Sequence, residues 1–361
     1  MEEKYFMLWL SLVPSLGIRK KLKLLDYFGN AKNIFTADPI DFFDINFLTK
    51  QNREKLISNK KENLIELAIE KLGTHTKFTT LSCSDYPPHL KNIYDPPIVL
   101  YYRGKIPQGL SISIIGTRRC SQYGKRVSYD LAKDLAKENI IIVSGMATGI
   151  DSYAHKGAVE CGKTIAVLGC GVDICYPKNN RDLMEKIINN GCVISEYPLG
   201  THPLPGYFPV RNRIISGISS GIIVVEASQR SGTLITVNQG LEQGKDIFAV
   251  PGSIWSKESQ GTNNLIKEGA FLLTDYNDII NHYNINKELN TQRNEPEENL
   301  EFNNLNENEC VIYRLINKEP KTINEICTQS NTTIDIVQYL LTVLEIKGLI
   351  EKVPGQRYIR I

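Results

Sequence analysis

Between residues 78 and 283, short unbroken apolar runs alternate with longer amphipathic stretches, and no other feature of the chain restricts its fold so far. The runs lie at 111–115, 140–144, 164–168, 192–195, 221–226, 246–250 and 270–273. Most are continuous rather than alternating, as strands covered on both faces must be. Amphipathic stretches at 123–138, 150–160, 180–190 and 231–243 separate them. Repeated strand–helix units predict an α/β fold with an extended Rossmann-like, mostly parallel sheet and helices on both of its faces. In such sheets ligands sit beyond the C-terminal ends of the strands.

The flanks differ in composition. Residues 1–77 read as helical and rich in Leu, Lys and Asn. Residues 284–306 are dominated by Asn and Glu and read as a solvated linker, and 307–361 are patterned again. The expected division is therefore a helical domain at 1–77, the sheet domain at 78–283, a linker at 284–306 and a small domain at 307–361. For 361 residues with 42% apolar and 23% charged side chains, a sizeable core is possible and wholesale disorder is excluded. No run of about 20 apolar residues occurs, so no membrane span is expected. The opening Met1-Glu2-Glu3-Lys4 lacks the pattern of a secretory signal, which makes the cytoplasm the default address. A net charge of +2 means that a nucleic-acid role must come from local clustering, not from bulk charge. Eight cysteines without a C-x-x-C pair read as thiols rather than a disulfide frame or a zinc site, and no metal is expected.

The strand ends carry the chemistry. The runs finish in Gly116-Thr117-Arg118-Arg119, Ser144-Gly145-Met146, Gly169-Cys170-Gly171, Ser195-Glu196-Tyr197 and Pro251-Gly252. Glycine lets the backbone approach a ligand and aim N–H groups at an anion, and a following helix N-terminus adds a favourable dipole. A βα loop also needs glycine for its own turn, so each loop alone is ambiguous; several on one edge point to a phosphate-binding rim. Arg118, Arg119, Lys178, Arg211 and Arg213 are read as belonging to these same loops, and arginine forks match phosphate oxygens in pairs.

Three other motifs are weaker. Gly157 to Thr164 matches the Walker A pattern, but a helix precedes it and a strand follows, the reverse of a phosphate loop. Gly169-Cys170-Gly171 follows a strand, yet Ile174 stands where the third glycine of a dinucleotide fingerprint belongs. Asp151 and His155 lie four apart at a helix start, either as an acid–base or metal pair or as polar residues satisfied within the turn.

At this point the middle segment resembles the DNA processing protein A family, also called DprA or Smf. The resemblance rests on ordered blocks covering about residues 86–270. These are Tyr86-Pro-Pro-His-Leu90 with Asp95-Pro-Pro, Leu100-Tyr-Tyr-Arg-Gly104, Ile115-Gly-Thr-Arg118 with Ser121-x-Tyr-Gly124, and Val143 to Asp151 with Ala154-His155. They continue through Thr164 to Gly169, Tyr176-Pro177 with Asn180, Ser195-Glu196, Phe208 to Gly217, Val225-Glu-Ala, Ser231 to Thr236 and Phe248 to Gly252. Thr117 stands where many members carry Ser, which keeps the hydroxyl.

The resemblance implies a single-stranded-DNA-binding homodimer that protects incoming strands and loads the RecA recombinase in natural transformation, without catalytic turnover or cofactor. Carried over by motif position, Arg118 and Lys178 line the DNA pocket and Arg211 and Arg213 are rim members. The loops bearing Gly116, Thr117, Arg119, Ser144, Gly145, Gly169, Gly171, Asn212, Ser231, Gly232 and Thr233 complete the expected DNA-binding set. Tyr176, Tyr197, Tyr207 and Phe208 are either base platforms or core residues. A homodimer contact is expected on the far sheet edge, at 263–273, because an exposed edge needs cover.

In the first domain, Val13 to Ile18 with Leu22 to Gly29 resembles a helix-hairpin-helix, with Ser15 where the first hairpin glycine usually sits; a packed helical domain of sterile-alpha-motif type is the other reading. In the tail, helical runs at 308–316, 323–329 and 333–347 and a ribbon at 349–353 and 357–361 predict a winged helix, which either reads DNA or binds protein. The competing function is a nucleotide phosphoribohydrolase of the lysine-decarboxylase-like type. Its catalytic glutamate position falls on Thr236, so Glu196 or Glu226 would have to substitute. A third reading is a duplex-DNA regulator led by the tail.

Overall fold

The fold is that of a computed structural model, which describes residues 1–285, 305–317, 320–330, 332–353 and 355–360. They form two compact units, Met1–Asn284 and Ile285–Ile361. Most of the segment expected to be a linker lies outside the described residues.

The first unit opens with α1 (Glu3–Leu12), α2 (Ile18–Phe28), α3 (Ala31–Thr36), α4 (Lys50–Ser58) and α5 (Glu62–Leu72). The turn between α1 and α2 places Ser15 at φ 62°, the conformation that hairpin glycines usually supply. Its carbonyl accepts from Asn52 Nδ2 of α4 at 2.9 Å, so the turn faces its own domain. Then follow β1 (Lys77–Thr80), β2 (Val99–Gly104), β3 (Ser111–Ile115), α6 (Gln122–Lys137), β4 (Ile141–Ser144), α7 (Ile150–Cys161), β5 (Thr164–Val167), α8 (Arg181–Asn190) and β6 (Gly191–Ser195). The unit closes with α9 (Tyr207–Ile218), β7 (Gly221–Val224), α10 (Thr233–Glu242), β8 (Asp246–Ala249), α11 (Gln260–Lys267), β9 (Phe271–Leu272) and α12 (Asn277–His282).

The strands form one nine-stranded sheet in the order β1-β2-β6-β5-β4-β3-β7-β8-β9. From β6 through β9 every pairing is parallel; β2 on β6 and β1 on β2 are antiparallel. The chain winds outwards from β3 through β4 and β5 to β6, then returns to the other side of β3 and winds through β7 to β9. The crevice between β3 and β7 is therefore the topological switch point.

Alternation along the strands sorts the core into two faces. Val99, Tyr101, Ala166, Leu168 and Val193 pack with α8 and with the N-terminal core of Phe6, Trp9, Leu24 and Ile65. Leu100, Ile165, Val167, Cys192 and Ile194 point the other way, against Ile214, Ile215 and Ile218 of α9 and Val237 of α10. The N-terminal helices thus cover one sheet face rather than standing apart from it.

The sequence reading needs two corrections. It treats Arg211 and Arg213 as loop residues, whereas α9 runs through both. Pro209 sits in the first turn of that helix, where a missing N–H costs nothing. It also passes over β1 and β2, the antiparallel edge. The Walker-like match runs in the order expected of a decoy: α7 ends at Cys161, Gly162 caps it and β5 follows.

The second unit contains α13 (Glu307–Leu315), β10 (Lys321–Thr322), α14 (Ile323–Ser330), α15 (Ile334–Ile346), β11 (Ile350–Val353) and β12 (Arg357–Arg360). The strands pair in the order β10-β12-β11, a three-stranded wing beside three helices. Ile312, Tyr313, Ile326, Leu341 and Tyr358 fill its core. On α15, Ile336, Tyr339 and Ile346 are exposed beside Asp335 and Glu345, so the outward face of the third helix is apolar and acidic rather than basic.

Candidate functional site

A cavity of about 400 Å³ opens at the switch point, within the size range of small-ligand sites. Gly116, Thr117 and Arg118, beyond β3, form one wall; Ser231, Gly232 and Thr233, which open α10, form the other. Phe208, Arg211 and Asn212 of α9 and Asp151 of α7 close it. Eight of the residues expected from the sequence are brought together here: Gly116, Thr117, Arg118, Arg211, Asn212, Ser231, Gly232 and Thr233.

The two ends of the cavity differ in polarity and exposure. Arg118 is exposed at the mouth, with its guanidinium 5.6 Å from the centroid of the Phe208 ring. No carboxylate partners it among the described residues. Arg211 is 3% exposed and forms the floor. Its Nη1 donates to Gly145 O at 2.8 Å and to Val167 O, while Asp151 Oδ2 accepts from Gly145 N at 3.2 Å. Arg211 and Asp151 therefore hold the same glycine, one by its carbonyl and one by its N–H. A side chain at residue 145 would strike the Arg211 guanidinium. Burial pulls both groups towards neutrality: it lowers Arg211 to about 10, with Asp151 working against the fall, and raises Asp151, with Arg211 working against the rise. At neutral pH Arg211 keeps its charge, and the floor holds this guanidinium together with Asp151 as its counter-charge.

Other expected residues take different places. Lys178 and Arg119 are exposed, lack carboxylate partners among the described residues and stand outside the cavity lining. Lys178 opens the short turn Lys178–Asn180, where Asn180 Nδ2 donates to Met146 O at 2.9 Å, fixing this loop to the end of β4. Tyr176, which precedes a cis Pro177, lies 5.4 Å from Phe208, ring to ring, and is 43% exposed. Tyr197 and Tyr207 instead stack on each other at 4.3 Å. Ser144 is buried, with its hydroxyl donating to Ile114 O, so it holds strands together. Gly145 lies beneath the floor; Gly169 lies against Phe208 and Gly171 against Asp173 and Pro198.

Arg213 is not a rim residue. It is 5% exposed, its Nε bonds Asp95 Oδ2 at 3.1 Å and its Nη2 bonds Glu196 Oε2 at 2.7 Å. Burial opposes its charge, but Glu196 and Asp95 outweigh that and hold its pKa above the usual value.

The remaining candidates prove structural. Glu226 at the end of β7 is 2% exposed and accepts from Ser121 N at 2.9 Å and Ser121 Oγ at 2.5 Å, while Ser121 Oγ caps α6 by accepting from Gly124 N. Glu226 thus joins β7 to the N-terminus of α6 across 105 residues of chain. His155 is fully buried, and its Nδ1 lies 2.7 Å from Thr164 Oγ1, which itself donates to Ile142 O. A hydroxyl that already donates must accept from His155, so the proton sits on Nδ1. Burial lowers this histidine to about 3. Asp151 and His155 make no pair, and no cluster of three metal-ligating side chains occurs among the described residues.

Asp151 as the counter-charge of a buried arginine is the functional residue that sequence reading leaves ambiguous. Its one signal is an acidic residue in the first turn of a helix that follows a Gly-rich strand end. The apposition to Arg211, 60 residues on, is a tertiary fact.

A cationic, glycine-walled cavity at the switch point of a doubly wound sheet, on a chain that also carries a winged-helix unit, defines a Rossmann-like protein built to bind anions. Comparison with known proteins narrows the class. Residues 77–284 match the family model for DNA recombination-mediator protein A, and 302–356 match the DprA winged-helix domain. The chain is 32% identical to protein Smf of Synechocystis over 99% of both chains. It is 45% identical to DNA processing protein DprA of Streptococcus pneumoniae over 56% of this chain and 74% of that protein. The crystal structure of DprA from S. pneumoniae superposes with a TM-score of 0.69 at 34% identity, covering 78% of this chain and 98% of that one. A structure of the Helicobacter pylori protein, concerned with that protein's single-stranded-DNA binding mode, gives 0.52 at 33% identity, covering 57% and 95%. The chain belongs to the DNA processing protein A (DprA/Smf) family.

Proposed function

We propose that this protein binds single-stranded DNA through the switch-point cavity and hands it to the RecA recombinase during DNA uptake and recombination, as a homodimer and without catalytic turnover. One observation carries the reading. The cavity mouth and the rim beside it carry exposed cations, Arg118 and, beyond the lining, Lys178, that no carboxylate of the protein satisfies among the described residues. Phosphates supply that missing charge, and the exposed Tyr176 beside Phe208 offers a ring to bases of any sequence. The S. pneumoniae and B. subtilis relatives are named for DNA processing, and the H. pylori neighbour binds single strands.

The hydrolase alternative lacks its carboxylate. Glu196 is engaged by Arg213, Glu226 by Ser121, and Asp151 by the Gly145 N–H. On α15 the exposed Ile336 and Tyr339 favour a protein contact over duplex reading. For the homodimer we propose the β9 edge, where Phe271 and Leu272 are both about half exposed. No helix among the described residues is long and apolar enough to cross a membrane.

The test is fluorescence anisotropy with labelled oligo-dT at several salt concentrations, beside a duplex of equal length. Tight, salt-sensitive binding to the single strand and weak binding to the duplex is the expected result. Absence of single-strand binding at low salt, with release of free base from a nucleoside monophosphate, would sink the reading in favour of the hydrolase.

A further inference from the structure

We propose that the bound single strand continues past the cavity along the sheet rim to a second base-stacking platform, the Ile254–Trp255 turn beyond β8. The inference rests on the single-strand reading above and extends it to a site outside the cavity.

Trp255 is 89% exposed and Ile254 74%. Both sit at the centre of a tight turn closed by Ser256 N donating to Ser253 O at 3.0 Å. Turn centres ordinarily carry Gly, Asn, Asp or Pro, whereas this one holds two large apolar side chains out in water. The base of the loop is fixed. Asn263 brackets Gly252, accepting from its N–H at 3.2 Å and donating to its carbonyl at 3.0 Å. Tyr123 Oη donates to Pro251 O at 3.0 Å. The indole is thus presented from an anchored loop, which lowers the ordering cost of stacking on it.

Its position is continuous with the cavity. In the sheet β3, β7 and β8 are neighbours, so the loops beyond them share one edge. Hydrogen bonds join them: Thr117 N to Glu226 O at 2.8 Å, Ala227 N to Glu258 O at 2.7 Å and Gly261 N to Ala227 O at 2.7 Å. From β3 to β8 is two strand spacings, about 10 Å, a reach of a few nucleotides. The charge of this stretch suits a polyanion. Arg119, Arg230 and Lys257 are exposed along it with no carboxylate partner among the described residues, and Glu226, in the middle, is buried against Ser121. An exposed indole flanked by unpaired cations is the pairing that sequence-tolerant strand binding uses. A purely apolar partner would gain from Ile254 and Trp255 but leave the three cations unmatched.

The chain carries two tryptophans, and the other, Trp9, is 2% exposed in the N-terminal core. Tryptophan emission that iodide quenches therefore reports Trp255. The experiment uses the full chain with oligo-dT of about four and about 16 nucleotides, the span of site sizes for such binders. The long strand should change Trp255 emission and shield it from iodide, a response absent from Trp255→Phe. Trp255→Ala should weaken long-strand binding by about fivefold or more, leave short-strand binding unchanged, and be largely rescued by Trp255→Phe. Long-strand anisotropy at wild-type affinity in Trp255→Ala, with Trp255 still open to iodide in the wild-type complex, overturns the platform and leaves the cavity reading standing. Absence of binding to either strand overturns both. Shielding that follows protein concentration but not DNA assigns the loop to a contact between copies and overturns the platform alone.

Discussion

Two sets of cations are alike in sequence and opposite in physics. Arg118, Arg119 and Lys178 lie on loops, exposed and without carboxylate partners among the described residues. Arg211 and Arg213, two residues apart in one helix, are buried and committed, one to backbone carbonyls above Asp151, the other to Asp95 and Glu196. A buried charge without a partner is prohibitively costly, so the fold supplies partners there; an exposed charge costs little and is left for a ligand. The lesson is that an arginine in a motif is a DNA contact only where the protein leaves it unsatisfied.

The largest expected effect tests the buried set. Arg213→Ala leaves Glu196 and Asp95 facing each other without their cation, and should destabilise the protein by about 3–5 kcal/mol in urea unfolding. Adding Glu196→Gln and Asp95→Asn should recover much of that loss, because the uncompensated charge is what hurts. A loss under about 1 kcal/mol for the single variant would break the contrast between the two sets.

Lys21 of α2 sharpens it. This lysine is 8% exposed, its Nζ donates to Ser11 O, and it feels Glu196 at a distance; burial lowers it to about 8. Between pH about 8 and about 10.5 the unfolded chain holds the Lys21 proton that the folded chain has lost, so the contribution of Lys21 to stability rises with pH across that window. That contribution should amount to about 3 kcal/mol and be missing in Lys21→Met, which keeps the packing volume. Parallel stability–pH curves for the two proteins would show that the amine is solvated after all.

How much of this was legible in the sequence follows the same division. Strands β3 to β8 stand out because parallel strands buried on both faces must be apolar throughout. Strand β1, Lys-Phe-Thr-Thr at the antiparallel edge, carries no such mark, and β2 reads only as a motif. Helix α9 hides behind Pro209 and the Arg-Asn-Arg run that follows it. The Gly116–Arg118 wall is legible as a local strand-end signal, and the Ser231–Thr233 wall through the family motif it belongs to. What satisfies a charge is not local: Asp95 lies 118 residues from Arg213, and Ser121 lies 105 from Glu226. Those pairings decide which candidates are free, and no spacing rule reaches them.

On the rim the effects move from stability to binding. Arg118→Ala and, separately, Lys178→Ala should each weaken single-strand binding about tenfold at low salt. Each should also flatten the salt dependence by about 0.7 for every phosphate the variant no longer neutralises. Urea stability should stay within about 0.5 kcal/mol of wild type, since neither cation has a carboxylate to abandon. Unchanged affinity in both variants would move the strand off the cavity.

The smallest effect separates cavity from rim. Arg119 follows Arg118 directly, is likewise exposed, and lies outside the cavity lining; its backbone N–H donates to Thr117 Oγ1 at 3.2 Å. With its side chain in bulk solvent, it holds a passing phosphate only through a screened, mobile contact worth under about 1 kcal/mol. Arg119→Ala should therefore cost about twofold in affinity for a long strand, with the deficit disappearing as salt rises. Arg118→Ala should keep a deficit at the same salt, because the Phe208 ring and the cavity wall position that guanidinium. Equal losses for the two arginines at every salt concentration would mean that the edge binds as one diffuse field of charge and that the cavity confers nothing of its own.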